Sequence, residues 1–306
     1  MDFKDIKIAQ KRIQEKIYNT PIIRIEQLDE LLGCKVFLKL ENIQLTNSFK
    51  IRGALNKILK NSEEIKNGVV ATSSGSHGIA VAYAANLLRI PAIVILRDTS
   101  PQCKRKAIQD LGAEVIALPH NLRQNKAQQI VSEKSYTYLH PYEDEDIIAG
   151  HGTLGIEIAS QGCFDKIVIP MGGGGLAAGL SIAIKQLMPK CKIIGCEPSS
   201  ISKFSKSIKA QKPVEVKPAF SVADALLPHK PGEIPFRYIK DNIDYIIPVD
   251  DKNIIEGERI IFHKGKIVSE ISSAIVIGAA LQAPFVFKKN ENVCFVISGG
   301  NVEISK

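Results

Sequence analysis

Four consecutive glycines, Gly172 to Gly175, sit inside the longest uncharged run of the chain, Ile167 to Ile184. The run is long enough to imitate a membrane span, but Pro170 and the glycines break it into an apolar strand, a turn and a helix. A strand that passes through a tight turn straight into a helix is the repeating step of an α/β fold with parallel strands. The rest of the sequence supplies that step again and again. Strand-like stretches are KVFLKL, GVVATS, PAIVILR, AEVIALP, KIVIPM, CKIIGCEP, YIIPVD and NVCFVIS, with helical patterns such as SHGIAVAYAANLL, NKAQQIVSEKS and GLAAGLSIAIKQLMP between them. There is no internal repeat, and the most irregular stretch is Gln211 to Pro235, with five prolines.

A chain of 306 residues, 45% hydrophobic and 24% charged, has the balance of a soluble globular protein large enough for two lobes or one big α/β domain. The net charge of +8 is spread along the chain, and aromatic content is only 6%, which argues against nucleic-acid binding. The opening MDFKDIKIAQ reads as neither signal peptide nor membrane anchor. The six cysteines form no CxxC pair and no zinc-ligand spacing with histidine, so reduced thiols in the cytoplasm and no metal are expected.

The glycine turn lets backbone N–H groups approach an anion at a helix start, which suits a phosphate. No Lys-Ser or Lys-Thr pair follows, so it is not the loop of a nucleoside-triphosphate binder. Gly172, Gly174 and Ala177 also fit G-x-G-x-x-A, and Glu197 ends the next strand where a ribose-binding acid stands, so an NAD-binding Rossmann fold is a rival reading at this point. A second small-residue loop, Thr72 to Ala85, offers hydroxyls and N–H groups to a carboxylate or is a plain capping turn. His77 beside it reads as a packed or hydrogen-bonded histidine rather than a base. ISGGN, Ile297 to Asn301, reads as a tight turn.

In LTNSFKIRGALNKILK, the capping residues Thr46, Asn47 and Ser48 precede Ile51, Leu55, Ile58 and Leu59 at helical spacing, predicting a helix that begins near Ser48. Lys50 then falls in the first turn, where the helix's partial positive charge disfavours an ammonium by ~0.3–1 kcal/mol. Either it is a solvated surface lysine, or it is an amine held where its neutral, nucleophilic form is favoured.

SFKIRGA, SSGSHG, GGGG and SGGN, in this order and spacing, resemble the motifs of the fold type II pyridoxal-phosphate enzymes. Within that group the chain is similar to the threonine dehydratase and serine racemase family, from about Asn19 onward. The resemblance implies an α/β, two-lobed, tryptophan synthase β-like fold with open twisted sheets flanked by helices. It implies a large cofactor-binding domain from 1–52 and 142–306, and a small domain from 53–141. It makes Lys50 the Schiff-base lysine for pyridoxal 5'-phosphate, with Phe49 on the cofactor ring. Gly172, Gly173, Gly174, Gly175 and Leu176 take the phosphate, Ser298 the pyridine nitrogen, and Ser76 the ring oxygen, where an asparagine is usual. A neutral serine partner for the ring favours elimination over transamination. Ser73, Ser74, Gly75 and His77 correspond to the substrate loop. Arg123 matches a substrate-side arginine of the racemases, its alternative being an exposed helix residue.

The family likeness points to loss of water and ammonia from L-serine or L-threonine, leaving a 2-oxo acid. Racemisation is the alternative, for which Ser74 is the acid facing Lys50. A cofactor-binding protein without catalysis is argued against by Lys50 and Ser74. Asn47, His151, Ala225 and Pro228 depart from the family's usual glycine, glutamine, glycine and racemase serine. Where relatives hold a divalent cation, Glu197 matches the glutamate ligand, but Lys203 stands in place of an aspartate, so no metal is expected. With no regulatory extension after SGGN, the short catabolic dehydratase is the closer likeness. The expected partners are a small amino acid and a second copy in a homodimer, without membrane or nucleic acid.

Overall fold

A computed structural model describes residues 1–303. The apolar runs form β1 (Ile22–Arg24), β2 (Lys35–Leu40), β3 (Val69–Ser73), β4 (Ala92–Arg97), β5 (Glu114–Leu118), β6 (Thr137–Tyr138), β7 (Lys166–Pro170), β8 (Lys192–Pro198), β9 (Tyr245–Val249) and β10 (Asn292–Ile297). They assemble into a six-stranded sheet, β1-β2-β10-β7-β8-β9, and a four-stranded sheet, β5-β4-β3-β6. All the pairs are parallel except β1 with β2, an antiparallel edge on an otherwise parallel sheet. The short strands β1 and β6 were not anticipated, since two or three residues carry no readable periodicity.

Residues along β10 alternate between two apolar layers. Val293, Phe295 and Ile297 pack with the helix Ile271–Gln282, whereas Cys294 and Val296 pack with the helices Glu145–Gln161 and Gly175–Leu187. Burial on both faces is why the strand reads as an unbroken hydrophobic run. In the smaller sheet, Val69 and Ala71 join the helix Ser76–Leu87, and Val70 joins Ala127 and Ile130 of the helix Arg123–Lys134.

The helix carrying Lys50 spans Lys50–Lys60, and Lys50 is its first residue. None of the three anticipated caps serves it, for no side chain caps its start. Ser48 is drawn into a bridge with Gly299, and the Phe49 N–H donates to Ser298 O at 3.1 Å. Asn47 has φ +51° in the left-handed region, a conformation asparagine tolerates better than most residues and glycine adopts without strain. That accounts for asparagine at a position where glycine is usual.

Two residues after Lys50, the fully buried Arg52 joins this helix to its surroundings. Its Nε and Nη2 grip Glu41, both at 2.7 Å, and Nη2 also donates to Glu157 Oε2 at 2.9 Å. Lys39 of β2 donates to the same Glu157 at 2.5 Å and to Thr20 O at 2.6 Å. Two cations and two carboxylates balance one another out of water. Removing one member strands its partners, so Glu41→Ala is expected to lower unfolding free energy by about 3–5 kcal/mol, read from urea denaturation followed by circular dichroism.

Candidate active site

The strand ends at Ser73, Pro170 and Ile297 and the start of the Lys50–Lys60 helix converge on one cavity of about 840 Å³. Its wall includes Phe49, Lys50, Ser73, Ser74, Ser76, His77, Arg123, Gly172 to Gly175, Leu176 and Ser298. The sequence-predicted residues are thus brought together, with Gly75 behind the wall as N-terminal cap of the helix Ser76–Leu87.

Lys50 Nζ donates to Pro141 O at 3.1 Å. Burial pushes its amine down to about 8, against the pull of Glu270. The histidines around it are held uncharged. Burial, then the field of Lys50, takes His77 down to about 3 and His140 to about 4. His77 Nε2 donates to Leu139 O at 3.0 Å and its Nδ1 has no partner among the described residues, whereas His140 Nδ1 accepts from Glu143 N at 2.7 Å, which occupies that lone pair. His151 is completely enclosed, and burial, with Lys50 and His77 adding to it, holds it well below the usual range. Its ring meets the Phe49 ring edge-on at 4.8 Å, propping the Phe49 face.

The glycine turn is an open cradle. Gly174 caps the helix Gly175–Leu187 with φ +103° and no side chain makes a capping hydrogen bond there, so its first N–H groups are available to an anion. A Cβ on Gly173 would collide with the Tyr142 ring at 2.3 Å. Ser298 shares a 2.9 Å hydrogen bond with Ser273 and can still accept from or donate to a ligand. Ser76 Oγ accepts from Asn301 Nδ2 at 3.0 Å and lies 3.5 Å from Glu270. An amine of lowered basicity, an aromatic face, an uncapped helix start and a buried hydroxyl form a donor set that fits a flat, phosphorylated aromatic aldehyde.

In the Ser73 loop the two serines divide the work. Ser73 Oγ accepts from Gly75 N and Gly78 N, both at 2.9 Å, which makes it the turn's internal brace, while Ser74 faces the cavity. Arg123 is no exposed helix residue. It is nine-tenths buried and donates to Ser73 O at 2.8 Å.

Glu270, which sequence reasoning missed, also faces the cavity. Burial lifts its carboxyl to about 7, with Lys104 opposing, Asp224 adding, and Lys50 and Ser76 opposing. Its one signal in the sequence was a lone acid just before the apolar run Ile271–Gln282. Glu197 is neither ribose-binding nor exposed. It is fully buried and accepts from Phe204 N, Ser205 N and Ser205 Oγ, each at 2.8 Å, which removes the dinucleotide reading. Lys203 Nζ lies 4.0 Å from Glu197 and donates to Met171 O at 3.2 Å and Leu226 O at 3.1 Å. Among the described residues no cluster of His, Cys, Asp and Glu could hold a metal, and no helix is long and apolar enough to cross a membrane.

The neutral amine is the reactive form, so in cofactor-free protein Lys50 is expected to react with an aldehyde faster as pH rises, with a midpoint near the value of about 8 set by burial. Ordinary lysines follow a midpoint of about 10.4. Reductive methylation mapped by mass spectrometry between pH 6 and 10 reads the difference.

The profile of the family described as pyridoxal-phosphate dependent enzyme matches residues 13–299. An L-threonine ammonia-lyase of Thermotoga maritima is 35% identical over 307 residues, covering 99% of this chain and 76% of the relative. A serine racemase of Dictyostelium discoideum is 37% identical over 310 residues, covering 99% and 95%. A solved threonine deaminase from T.th. superposes with a TM-score of 0.95 at 33% identity, covering all of both chains.

Proposed function

The chain belongs to the pyridoxal-phosphate dependent enzyme family, and from that premise we propose that it is an ammonia-lyase that turns a small β-hydroxy amino acid into a 2-oxo acid and ammonia. The observation that carries this reading is Lys50, an amine pushed down to about 8 at the start of its helix and facing the uncapped glycine turn across one cavity. Pyridoxal phosphate, when bound, supplies an electron sink that stabilises negative charge on the α-carbon of an amino acid. The residues that hold it are Gly172 to Gly175 and Leu176 for the phosphate, Ser298 for the ring nitrogen, Ser76 for the ring oxygen and Phe49 for the ring face.

The chain's own groups do the rest. The Ser73–Gly75 turn orients the substrate carboxylate through its N–H groups and hydroxyls. Lys50 Nζ, neutral in an appreciable fraction near pH 7, takes the α-proton. The histidines beside it, held uncharged, are much weaker bases. The β-hydroxyl leaves as water, and the released enamine hydrolyses to the 2-oxo acid and ammonia. Free thiols at all six cysteines support a cytoplasmic setting. A homodimer, and a division into a 1–52 plus 142–306 cofactor domain and a 53–141 domain, complete the reading.

Racemisation is a second reading, favoured by one observation: Ser73 braces the turn, which leaves the Ser74 hydroxyl free toward the cavity. The test of the main reading is 2-oxo acid and ammonia release from L-serine and L-threonine, with Lys50→Ala lowering turnover by more than about 10²-fold. No release from either substrate would reject it. For the second reading, Ser74→Ala is expected to abolish L- to D-serine interconversion, read by chiral chromatography, while elimination falls less than about tenfold. A wild type that never racemises returns Ser74 to a purely structural role.

A further inference from the structure

The same cavity carries a cluster of cations that the chemistry at Lys50 does not use. Arg97, at the end of β4, and Arg123 line it together with His120 and His229. They lie in one another's field. His120 is lowered by burial and then by Arg123, Arg97 and His229, and Arg123 is itself lowered by burial and then by Arg97. Neither guanidinium has a carboxylate partner among the described residues, whereas Arg24 is paired with Asp29 and Arg52 with Glu41 and Glu157. The Nε of Arg97, the Nε of Arg123 and the Nδ1 of His229 are buried with no hydrogen-bond partner. A buried donor left unmade costs about 1–3 kcal/mol, and like charges held together add to that, so the arrangement calls for an anion.

The acids of the cavity do not supply it. Asp224 approaches Lys104 at 4.0 Å, Glu270 is engaged with Ser76 and the fields of Lys104, Asp224 and Lys50, and Asp98 and Glu215 pair with neither arginine. The glycine turn has its own anion in the cofactor phosphate. Arg123 grips the carbonyl of Ser73, which fixes the cluster beside the turn that orients the substrate.

We propose that Arg97, Arg123, His120 and His229 form a subsite for a side-chain carboxylate, making the preferred substrate a β-hydroxy amino acid with an acidic side chain, 3-hydroxyaspartate, rather than serine or threonine. This rests on the ammonia-lyase reading above. The balance is that of the elimination already described. The α-C–H and β-C–O bonds break, water leaves, and hydrolysis of the enamine takes up one water and releases ammonia. A 2-oxo dicarboxylate remains, with no external oxidant or reductant. A methyl or hydrogen in place of the carboxylate leaves the buried donors unpaired, and sites built to pair a substrate group reject the analogue lacking it.

The experiment compares kcat/KM of the holoenzyme for L-threo-3-hydroxyaspartate, L-serine, L-threonine and O-phospho-L-serine, in wild type, Arg97→Met and Arg97→Lys, with thermal midpoints to confirm folding. A preference for hydroxyaspartate of at least tenfold over serine and threonine is expected. Arg97→Met should collapse that ratio toward one, and Arg97→Lys, which keeps the charge, should retain part of it. Equal or better turnover of serine or threonine by wild type overturns the inference while leaving the ammonia-lyase reading intact, and so does a ratio unmoved in a folded Arg97→Met. Better turnover of phosphoserine overturns the carboxylate assignment. If no substrate yields a 2-oxo acid, the ammonia-lyase reading fails, and calorimetry of the holoenzyme with succinate decides separately. Binding that weakens at least tenfold in Arg97→Met upholds the anion subsite, and no binding overturns it.

Discussion

The grip of Arg52 on Glu41 and Glu157 is the constraint on which the site depends. It ties the helix that presents Lys50 to the segment after β2 and to the helix Glu145–Gln161, with Lys39 completing the balance of charge and the Thr20 hydroxyl donating to Glu41. An apolar contact could be equally stable but would tolerate sliding, because dispersion has no preferred register. A bidentate guanidinium–carboxylate pair does not. Lys50 lies two residues from Arg52, so its position follows from this buried lattice and not from a cap.

That arrangement places a cation at the wrong end of a helix, and the surroundings turn the mismatch to use. The partial positive charge of the helix start and the loss of water both favour an uncharged amine. Neighbouring histidines would add repulsion if protonated. Burial and the amine's own field keep His77, His140 and His151 neutral instead. Glu270 works the other way, so the amine stops near 8 instead of losing its basicity altogether.

Much of this was legible in the chain itself. Long apolar runs such as those of β4, β7 and β10 could only be parallel, doubly buried strands, and glycines between strand and helix announced an anion cradle. What could not be read was set by distant partners. Thr46, Asn47 and Ser48 looked like caps because capping is a local rule, yet Ser48 is claimed by Gly299, far away in sequence. Glu197 looked like a ligand residue at a strand end, and only the packing of the helix Lys203–Ala210 shows that its carboxylate is spent on that helix's first N–H groups. Glu270 and Arg97 carried no motif at all, since a lone charge beside an apolar run looks the same whether it meets solvent or a cavity.

β10 lies between β2 and β7, with Ile297 opposite Leu40 and Phe295 opposite Val168. This inner strand of the larger sheet is thus synthesised after every other strand of either sheet. Until it leaves the ribosome, β2 and β7 have no common neighbour, Ser48 has no Gly299 to bridge, and the apolar faces of both flanking layers stand open. The four-stranded sheet, whose strands all fall between Val69 and Tyr138, is free to fold in the meantime. Nascent chains therefore carry one finished sheet and one waiting for its centre, and a truncation that removes β10 exposes both flanking layers to aggregation rather than trimming an edge.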